Sequence, residues 1–393
     1  MSILTGLENW IVDDMTPKQV RHVRAVIPTE ASGKVSDLYQ QIRCDFQLVP
    51  PLTLFSPVPE LLAAAWSIWR EAQFVDGVVA RPIKEAIAAA VSRTNACPYC
   101  VDAHTGMLHA SSDHDVVHGI LNDSHDVIPD PHMRDIVEWA SATRMPGSEI
   151  LRQPPFTHEE TPEIVGTALT YHFVNRMVSV FLTDTPMPVP AGAKGLRGMA
   201  ARIFGATVGK RIAARQPVAG ESLRFIPEAD LPKDMKWASS STPIASAFAG
   251  CIEIIEDEGD NALHITVKDL VRRELGKWQG ESKGISRQWV EESLAGVNDQ
   301  QKPAARLALL TALAPYQVDD EVINSFRKSW PGEKELLGAT GWASMAAARR
   351  VSSWLVVPSD GDQETQSSGP DDVLDINTHV PSSSVLTGNG GGL

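Results

Sequence analysis

Two cysteines and a histidine lie close together in the sequence and carry the side chains best suited to redox chemistry. Cys97, Cys100 and His104 follow one another at offsets of three and four positions. On an α-helix, which turns by about 100° per residue, these side chains fall within ~60° of one another. Glu85 lies twelve residues before Cys97. A dithiol beside a titratable base can reduce peroxides or exchange disulfides, so this stretch predicts a redox site.

Two local effects favour different sulfurs as the reactive one. Pro98 predicts a helix that starts beside Cys97, so that free backbone N–H groups and the positive end of the helix dipole stabilise a thiolate there. His104 lies four residues after Cys100, where helical side chains meet, and could deprotonate that thiol directly or through a water molecule. Glu85 could hold the imidazole in the right tautomer or act as the terminal base. The local physics leaves the choice between the two sulfurs open.

Each of these residues also has a simpler explanation. A single Cys-x-x-Cys pair could be half of a zinc site, but the chain has no second pair, and Cys44 and Cys251 are isolated. Glu85 could merely complement a helix dipole. Cys-Pro-Tyr-Cys is also the motif of glutaredoxins, where it should follow a buried strand, whereas an Ala-rich helix precedes it here. The combination of the four residues is what favours redox chemistry.

Helical patterns surround the cysteines on both sides. The predicted helices of this region begin near Pro59, Pro82, Pro98, Ser112, Met133 and Pro162. The best candidate for a β-strand, Leu263–Val267, is short. The sequence therefore predicts an all-α fold.

The composition limits the classes of partner and the compartment. The chain has 393 residues, of which 43% are hydrophobic and 21% charged, as in a globular protein with a sizeable core. Its 35 basic and 49 acidic residues give a net charge of −14, which disfavours nucleic acid as a partner. Neither a signal peptide nor a membrane-spanning stretch is evident, and four cysteines are too few for a secreted disulfide scaffold. We expect a cytoplasmic protein that binds no membrane.

The stretch from Glu85 to Cys97-x-x-Cys100-x-x-x-His104 resembles the core of the AhpD-like alkylhydroperoxidases, which belong to the carboxymuconolactone decarboxylase superfamily. The resemblance is strong over residues 55–110 and fades to general helical similarity up to Leu182. It implies an all-α helical bundle that forms a homo-oligomer. It also implies that Cys100 is the peroxidatic thiol, Cys97 the resolving thiol, and His104 with Glu85 a proton relay.

The chain departs from some relatives at one position of the motif. Those relatives have a histidine inside Cys-x-x-Cys, where this chain has Tyr99. The decarboxylases of the superfamily lack the cysteine pair, so decarboxylation is not favoured here. No metal, flavin or nicotinamide motif is evident, so we predict no cofactor. Electrons must then come from a thiol or dithiol reductant or from a redox adaptor protein.

Changes in composition predict four segments. Residues 1–187 form the AhpD-like redox domain, and prolines at its end interrupt the helical pattern. Residues 188–235 form a basic connector, in which Gly192–Gln216 holds six basic residues and no acidic one. This is a solvated helix or, alternatively, a docking arm for a partner or anionic lipid. Residues 236–357 form a second helical domain, and residues 358–393 a disordered tail.

The second helical domain is predicted to be a degenerate repeat of the first. Pro303–Asp319 shares with Pro82–Asp102 an opening proline, an Ala-rich helix and then Pro-Tyr-x-Val-Asp. Gln317 stands where the first copy has Cys100, and Arg306 stands where Glu85 would be. Without the thiols, such a copy would serve packing.

Several polar residues outside the motif have less specific predicted roles. His114 and His118 share a helix face and could bind a metal, but they lack a clear third ligand, so solvated histidines are the preferred interpretation. His172, Asn175 and Arg176 interrupt an apolar helix. They are predicted to face a polar cleft or a subunit contact, and they could line a pocket above the thiols.

Two functions from different classes follow from these observations. The leading hypothesis is a thiol-dependent hydroperoxide reductase or disulfide oxidoreductase that works through Cys97 and Cys100. The alternative is a helical assembly or ligand-binding module with vestigial redox chemistry, which the degenerate second half and the basic segment motivate. The rate at which an organic hydroperoxide oxidises the cysteines distinguishes the two.

Overall fold

Helices form the regular structure of this protein. The computed structural model describes residues 19–110, 113–186 and 215–355. Within these ranges there is no β-strand, and an isolated bridge pairs Val20 with Leu182. The prediction of an all-α, AhpD-like fold is confirmed. No helix in the same ranges is both long and apolar enough to cross a membrane.

The stretch Leu263–Val267, the best candidate for a strand, forms a junction between two helices, as the all-α prediction requires. Leu263 lies at the C-cap of one helix and His264 at the N-cap of the next. The Nδ1 atom of His264 accepts a hydrogen bond from the Thr266 N–H at 3.3 Å, which satisfies a free donor of the second helix. Local capping therefore outweighs the β-branched composition of the stretch.

The part of the chain that carries the cysteines is a succession of helices. They are α1 (Gly33–Asp45), α2 (Pro50–Thr53), α3 (Pro59–Trp69), α4 (Arg81–Thr94), α5 (Pro98–Ala110), α6 (His114–Asn122), α7 (Pro131–Ala142), α8 (Glu149–Arg152) and α9 (Thr161–Phe181). A π-helical turn, Arg70–Phe74, continues α3. Proline occupies the first or second position of α3, α4 and α9, where its fixed φ and missing N–H suit a helix start.

The second half of the described chain is also helical. Its α-helices are α10 (Thr242–Ala262), α11 (Ile265–Lys277), α12 (Gln288–Ser293), α13 (Lys302–Leu313), α14 (Asp320–Arg327) and α15 (Glu333–Ser352). Short 3-10 turns lie at Leu223–Phe225, Lys233–Ala238 and Pro315–Gln317.

Helix α9 is the central element that joins the two halves. Nearly all of its side chains are buried, and it packs against both α4 and α15. Helix α10 packs against α3 and α15. The approach of α10 and α15 is close at Gly338, where a Cβ atom would lie 2.5 Å from the Glu258 carbonyl oxygen. The described residues therefore share one core and belong to one compact unit.

The predicted division into four segments remains a prediction. The boundary at residue 187 and most of the basic segment 192–216 lie outside the described residues, as does the predicted tail from residue 358. Arg215, at the end of that segment, donates a hydrogen bond to the Phe46 carbonyl oxygen. This contact links the end of the basic segment to the thiol-bearing half.

The predicted second copy of the motif follows a different course from the first. Pro315 opens a single 3-10 turn, whereas Pro98 opens the long helix α5. Arg306 forms an ion pair with Glu291 at 2.8 Å, and the Gln317 side chain donates to the Gly284 carbonyl oxygen at 2.7 Å. Arg306 and Gln317, which stand in place of Glu85 and Cys100, thus connect neighbouring segments of the second half.

Candidate active site

The turn between α4 and α5 brings the cysteines against the Ala-rich helix. Ala96 adopts a left-handed backbone conformation with φ of 54°. The Cys97 N–H donates to the Ser92 carbonyl oxygen at 2.9 Å. The alanines at positions 86 and 88–90 are buried, and their small side chains let α5 pack directly on α4. Both helices can therefore direct polar groups into the same interior space.

The two sulfur atoms of the motif lie together in this interior. Cys97 Sγ and Cys100 Sγ are 2.9 Å apart, and both side chains are buried. The separation exceeds an S–S bond of about 2.05 Å, so the pair is a dithiol. Burial and the contact with Cys97 raise the pKa of Cys100 well above its ordinary value, while hydrogen bonds with Asn175 and Ser92 oppose this shift. Formation of a thiolate at Cys100 therefore requires a base.

Glu85 and His104 are in direct contact. Glu85 Oε2 lies 2.8 Å from His104 Nδ1, and both side chains are buried. The other carboxylate oxygen accepts hydrogen bonds from Arg81 Nε at 2.8 Å and from Gln73 Nε2 at 3.1 Å. Burial raises the pKa of Glu85, but the charge of Arg81 and the hydrogen bond with His104 outweigh it and lower the pKa to about 2. An ionised Glu85 can accept a hydrogen bond from a protonated Nδ1 of His104, and in that tautomer Nε2 carries the free lone pair.

The low pKa of Glu85 predicts how the stability of the protein depends on pH. A carboxyl group with a lowered folded-state pKa stabilises the protein above its unfolded pKa, near 4.5, and loses this contribution as the pH falls toward about 2. The shift corresponds to a contribution on the order of 3 kcal/mol to the free energy of unfolding at neutral pH. We expect Glu85→Gln to lower the stability at neutral pH and to flatten its decline in acid.

Urea unfolding at a series of pH values measures this effect. Glu60→Gln, a substitution of a half-exposed carboxylate in the first turn of α3, is the matched control and should follow the wild-type pH dependence. Parallel curves for Glu85→Gln and the wild type would contradict the assigned ionisation of Glu85.

Sequence reasoning missed the polar side chains that support this pair. Tyr171 stacks edge-on against the His104 ring, with 4.6 Å between centroids, and its hydroxyl group donates to Gln73 Oε1. Trp69 Nε1 donates to the Tyr171 hydroxyl oxygen at 2.9 Å. The position of Arg81, four residues before Glu85, was a signal for their helical ion pair. Nothing in the sequence indicates that Tyr171, on the distant helix α9, reaches the site.

A narrow pocket leads to one of the two sulfurs. Cys100, Glu85 and His104 line it, whereas Cys97 does not. Most of its remaining lining is apolar or aromatic: Phe46, Val49, Pro51, Trp69, Phe74, Tyr99, Ala103, Met107, Tyr171, Val174 and Pro186. Its empty volume is about 580 Å³, including the open mouth. A small molecule that enters this pocket can therefore contact the side chain of Cys100 but not that of Cys97.

The prediction that His172, Asn175 and Arg176 face a polar cleft is confirmed for Asn175 and Arg176, which line a small polar cavity, whereas the suggested place above the thiols is wrong. Asn175 contacts Cys100, but none of the three residues lines the pocket at the thiols. They form a buried polar layer in which His172 Nε2 lies 3.0 Å from Thr143 Oγ1 and Asn175 accepts a hydrogen bond from Asn95 at 3.0 Å. Helix α9 is buried on this side by the second half of the chain, which the local sequence does not reveal.

His114 and His118, the pair that could bind a metal, lie on helix α6. His114 Nδ1 lies 2.8 Å from His109 Nδ1 at the surface. Among the residues described, no group of three or more His, Cys, Asp and Glu side chains is arranged to hold a metal ion.

Comparisons with known proteins identify the family of this chain. The pattern of the carboxymuconolactone decarboxylase family matches residues 59–118, a span that includes Glu85, both cysteines and His104. A Mycobacterium tuberculosis protein named alkyl hydroperoxide reductase is 36% identical over 352 residues, which cover 89% of this chain and 98% of that protein. No solved structure matches the chain. The similarity thus extends over both helical halves, and the chain belongs to the carboxymuconolactone decarboxylase superfamily as an AhpD-like member.

Proposed function

We propose that the protein is a thiol-dependent alkyl hydroperoxide reductase in which Cys100 is the peroxidatic thiol. The observation that carries this proposal is the pocket lined by both Cys100 and His104, with His104 held by Glu85. The name of the Mycobacterium tuberculosis relative, alkyl hydroperoxide reductase, supports the same reaction class.

The proposed reaction passes through a sulfenic acid and a disulfide. The Cys100 thiolate attacks the terminal oxygen of a hydroperoxide, the O–O bond breaks, and the alkoxide takes up a proton and leaves as an alcohol. The sulfur of Cys97, 2.9 Å away, then attacks the sulfenic sulfur, so that a disulfide forms and water is released. A dithiol reductant exchanges with this disulfide and restores both thiols.

His104 is the proposed carrier of the proton. Because burial keeps the Cys100 thiol protonated, a base must remove its proton before attack. His104 Nε2 is available for this task, since Nδ1 is bound to Glu85. The same nitrogen then returns the proton to the departing alkoxide. Glu85 is a positioning residue, because it fixes the orientation and tautomer of the imidazole.

The lining of the pocket supports an organic hydroperoxide as the substrate. Side chains such as Phe46, Phe74, Met107 and Val174 offer an apolar surface to an alkyl or aryl group. Burial of that group favours organic hydroperoxides over hydrogen peroxide. The reductant that we propose is a thiol, a dithiol or a redox adaptor protein. The homo-oligomer implied by the resemblance and the cytoplasmic location expected from the composition remain predictions.

Stopped-flow oxidation of the reduced protein tests the function. We expect cumene hydroperoxide to oxidise the cysteine pair at least about a hundredfold faster than it oxidises free cysteine, and faster than hydrogen peroxide does. A rate no higher than that of free cysteine would instead favour the non-catalytic assembly or ligand-binding module.

A further inference from the structure

Arg176 is a buried cation without a carboxylate partner among the described residues. Its side chain lies in the interior, and the residue is only 4% exposed. Nε donates to the Ala312 carbonyl oxygen at 2.9 Å, and Nη1 donates to the His172 carbonyl oxygen. In the described part of the chain, Nη2 has no hydrogen-bond acceptor. One edge of the guanidinium group is therefore left for another partner.

Arg144 lies beside Arg176 and likewise donates to carbonyl oxygens only. Its acceptors are the carbonyl groups of Thr94, Gly280 and Glu281, at 3.0 to 3.2 Å. The Glu281 carboxylate is bound instead by Lys283 Nζ, at 2.7 Å. Within the described ranges, neither arginine forms an ion pair with a carboxylate.

The two guanidinium groups also share one aromatic neighbour. Arg144 and Arg176 lie 5.2 and 5.9 Å from the centroid of the buried Trp278 ring. Burial and the charge of Arg144 lower the pKa of Arg176 to about 9. Burial and both arginines lower the pKa of the neighbouring His172 well below its ordinary value, so His172 adds no charge. The half-exposed Glu281 carboxylate offsets part of the charge of Arg144, but it is already paired with Lys283. Among the described residues, the two guanidinium groups therefore leave an excess of positive charge, whereas buried charges in proteins are usually paired.

A small cavity opens between these arginines. It is lined by Asn95, Asn175, Leu313, Pro315 and Tyr316 in addition to Arg144 and Arg176. Its empty volume is about 300 Å³, including the side that is open to solvent. We call this cavity the arginine pocket. It differs from the thiol pocket, since the two have no lining residue in common.

We propose that the arginine pocket is a binding site for a small carboxylate anion, which lies between Arg144 and Arg176. A carboxylate supplies one negative charge and two oxygen atoms in the plane that a guanidinium group recognises. A short monocarboxylate is the smallest organic anion that can offer both oxygen atoms to these two guanidinium groups. This proposal goes beyond the peroxidase function, because the site lies at the junction of α9 with the second half of the chain.

Thermal unfolding of the full-length protein in increasing acetate tests the proposal. The ionic strength is held constant with a bulky organic sulfonate that the pocket cannot admit. We expect a saturable rise in Tm for the wild type, because a ligand that binds only the folded state stabilises it. Arg144→Gln and Arg176→Gln should each weaken acetate binding by about tenfold or more.

Arg350→Gln is the matched control variant. Arg350 also donates to carbonyl oxygens, of Gly276 and Trp278, and stacks on a tryptophan, Trp354, but it does not line the pocket. This variant should bind acetate as the wild type does. If Arg176→Gln does not fold, the half-buried Arg144 still provides the test.

Three outcomes would overturn the proposal. They are the absence of a saturable shift in the wild type, equal shifts in all variants, and a shift that phosphate produces and acetate does not. None of these measurements involves peroxide or the cysteines, so they do not bear on the proposed peroxidase function.

Discussion

Replacement of Cys100 by serine is expected to abolish peroxide reduction, whereas replacement of Cys97 should leave one oxidation step intact. Cys100 lines the apolar pocket, and Cys97 lies behind it at 2.9 Å. A hydroxyl group is a far weaker nucleophile than a thiolate, so Cys100→Ser should lower the rate of oxidation by at least about a hundredfold. In Cys97→Ser, the sulfenic acid at Cys100 has no neighbouring thiol and should accumulate.

Rapid-mix oxidation combined with a sulfenic-acid trap such as dimedone measures this difference. Mass spectrometry of the trapped protein should locate the adduct on Cys100 in Cys97→Ser and detect none in Cys100→Ser. Cys251→Ser is the matched control, because Cys251 is equally buried and lies outside the pocket, where burial alone raises its pKa. An adduct on Cys97 in Cys100→Ser, formed at the wild-type rate, would reverse the two roles.

Loss of the His104 imidazole is expected to produce the second large effect. The Cys100 thiol is held protonated by burial, and His104 is the basic group that lines the same pocket. Removal of a general base costs about 10²- to 10⁴-fold in rate, so His104→Ala should lower the rate of oxidation within this range. Glu85→Gln should lower it as well, since the imidazole loses the carboxylate that orients it.

The double variant distinguishes a shared role from two independent ones. If Glu85 acts through His104, then Glu85→Gln adds little to the loss already caused by His104→Ala. The rise of the rate with pH should also shift toward the thiol pKa in His104→Ala, an effect that a purely structural defect would not cause. His125→Ala is the control, because His125 pairs with Asp123 at 3.7 Å outside the pocket. Multiplicative losses and an unchanged pH profile would argue against the relay.

The helical elements of the thiol-bearing half were predictable because their signals are local. Proline at a helix start acts through its own φ and its missing N–H, so Pro59 and Pro98 mark the helices that the structure has. The spacing of Cys97, Cys100 and His104 likewise needs only the periodicity of one helix. At Leu263–Val267 the β-branched composition is a weaker signal than the helix start at His264, whose side chain caps the following helix.

The choice between the two sulfurs depended on packing rather than on the motif. Dipole reasoning favoured Cys97, but access to the pocket distinguishes Cys100, and that access is formed by side chains such as Phe46 and Tyr171 on distant elements. The same holds for Asn175, whose contact with Cys100 depends on how α9 crosses α4. Contacts between residues far apart in the chain do not produce a recognisable pattern in a single sequence.

The sequence by itself was enough to predict the proposed class of chemistry, since the types and spacing of two thiols, an imidazole and a carboxylate are fixed along two consecutive helices. It also determined that the fold is helical, because helix starts and periodicity are local properties. Only the tertiary structure decided which sulfur faces the pocket and how Arg81 and His104 keep Glu85 ionised. It also decided that Arg144 and Arg176 share a cavity whose described lining has no carboxylate. The reason is physical. The solvent accessibility of a side chain, its dielectric surroundings and its charged partners are set when separate helices pack together, so the sequence of one helix does not specify them.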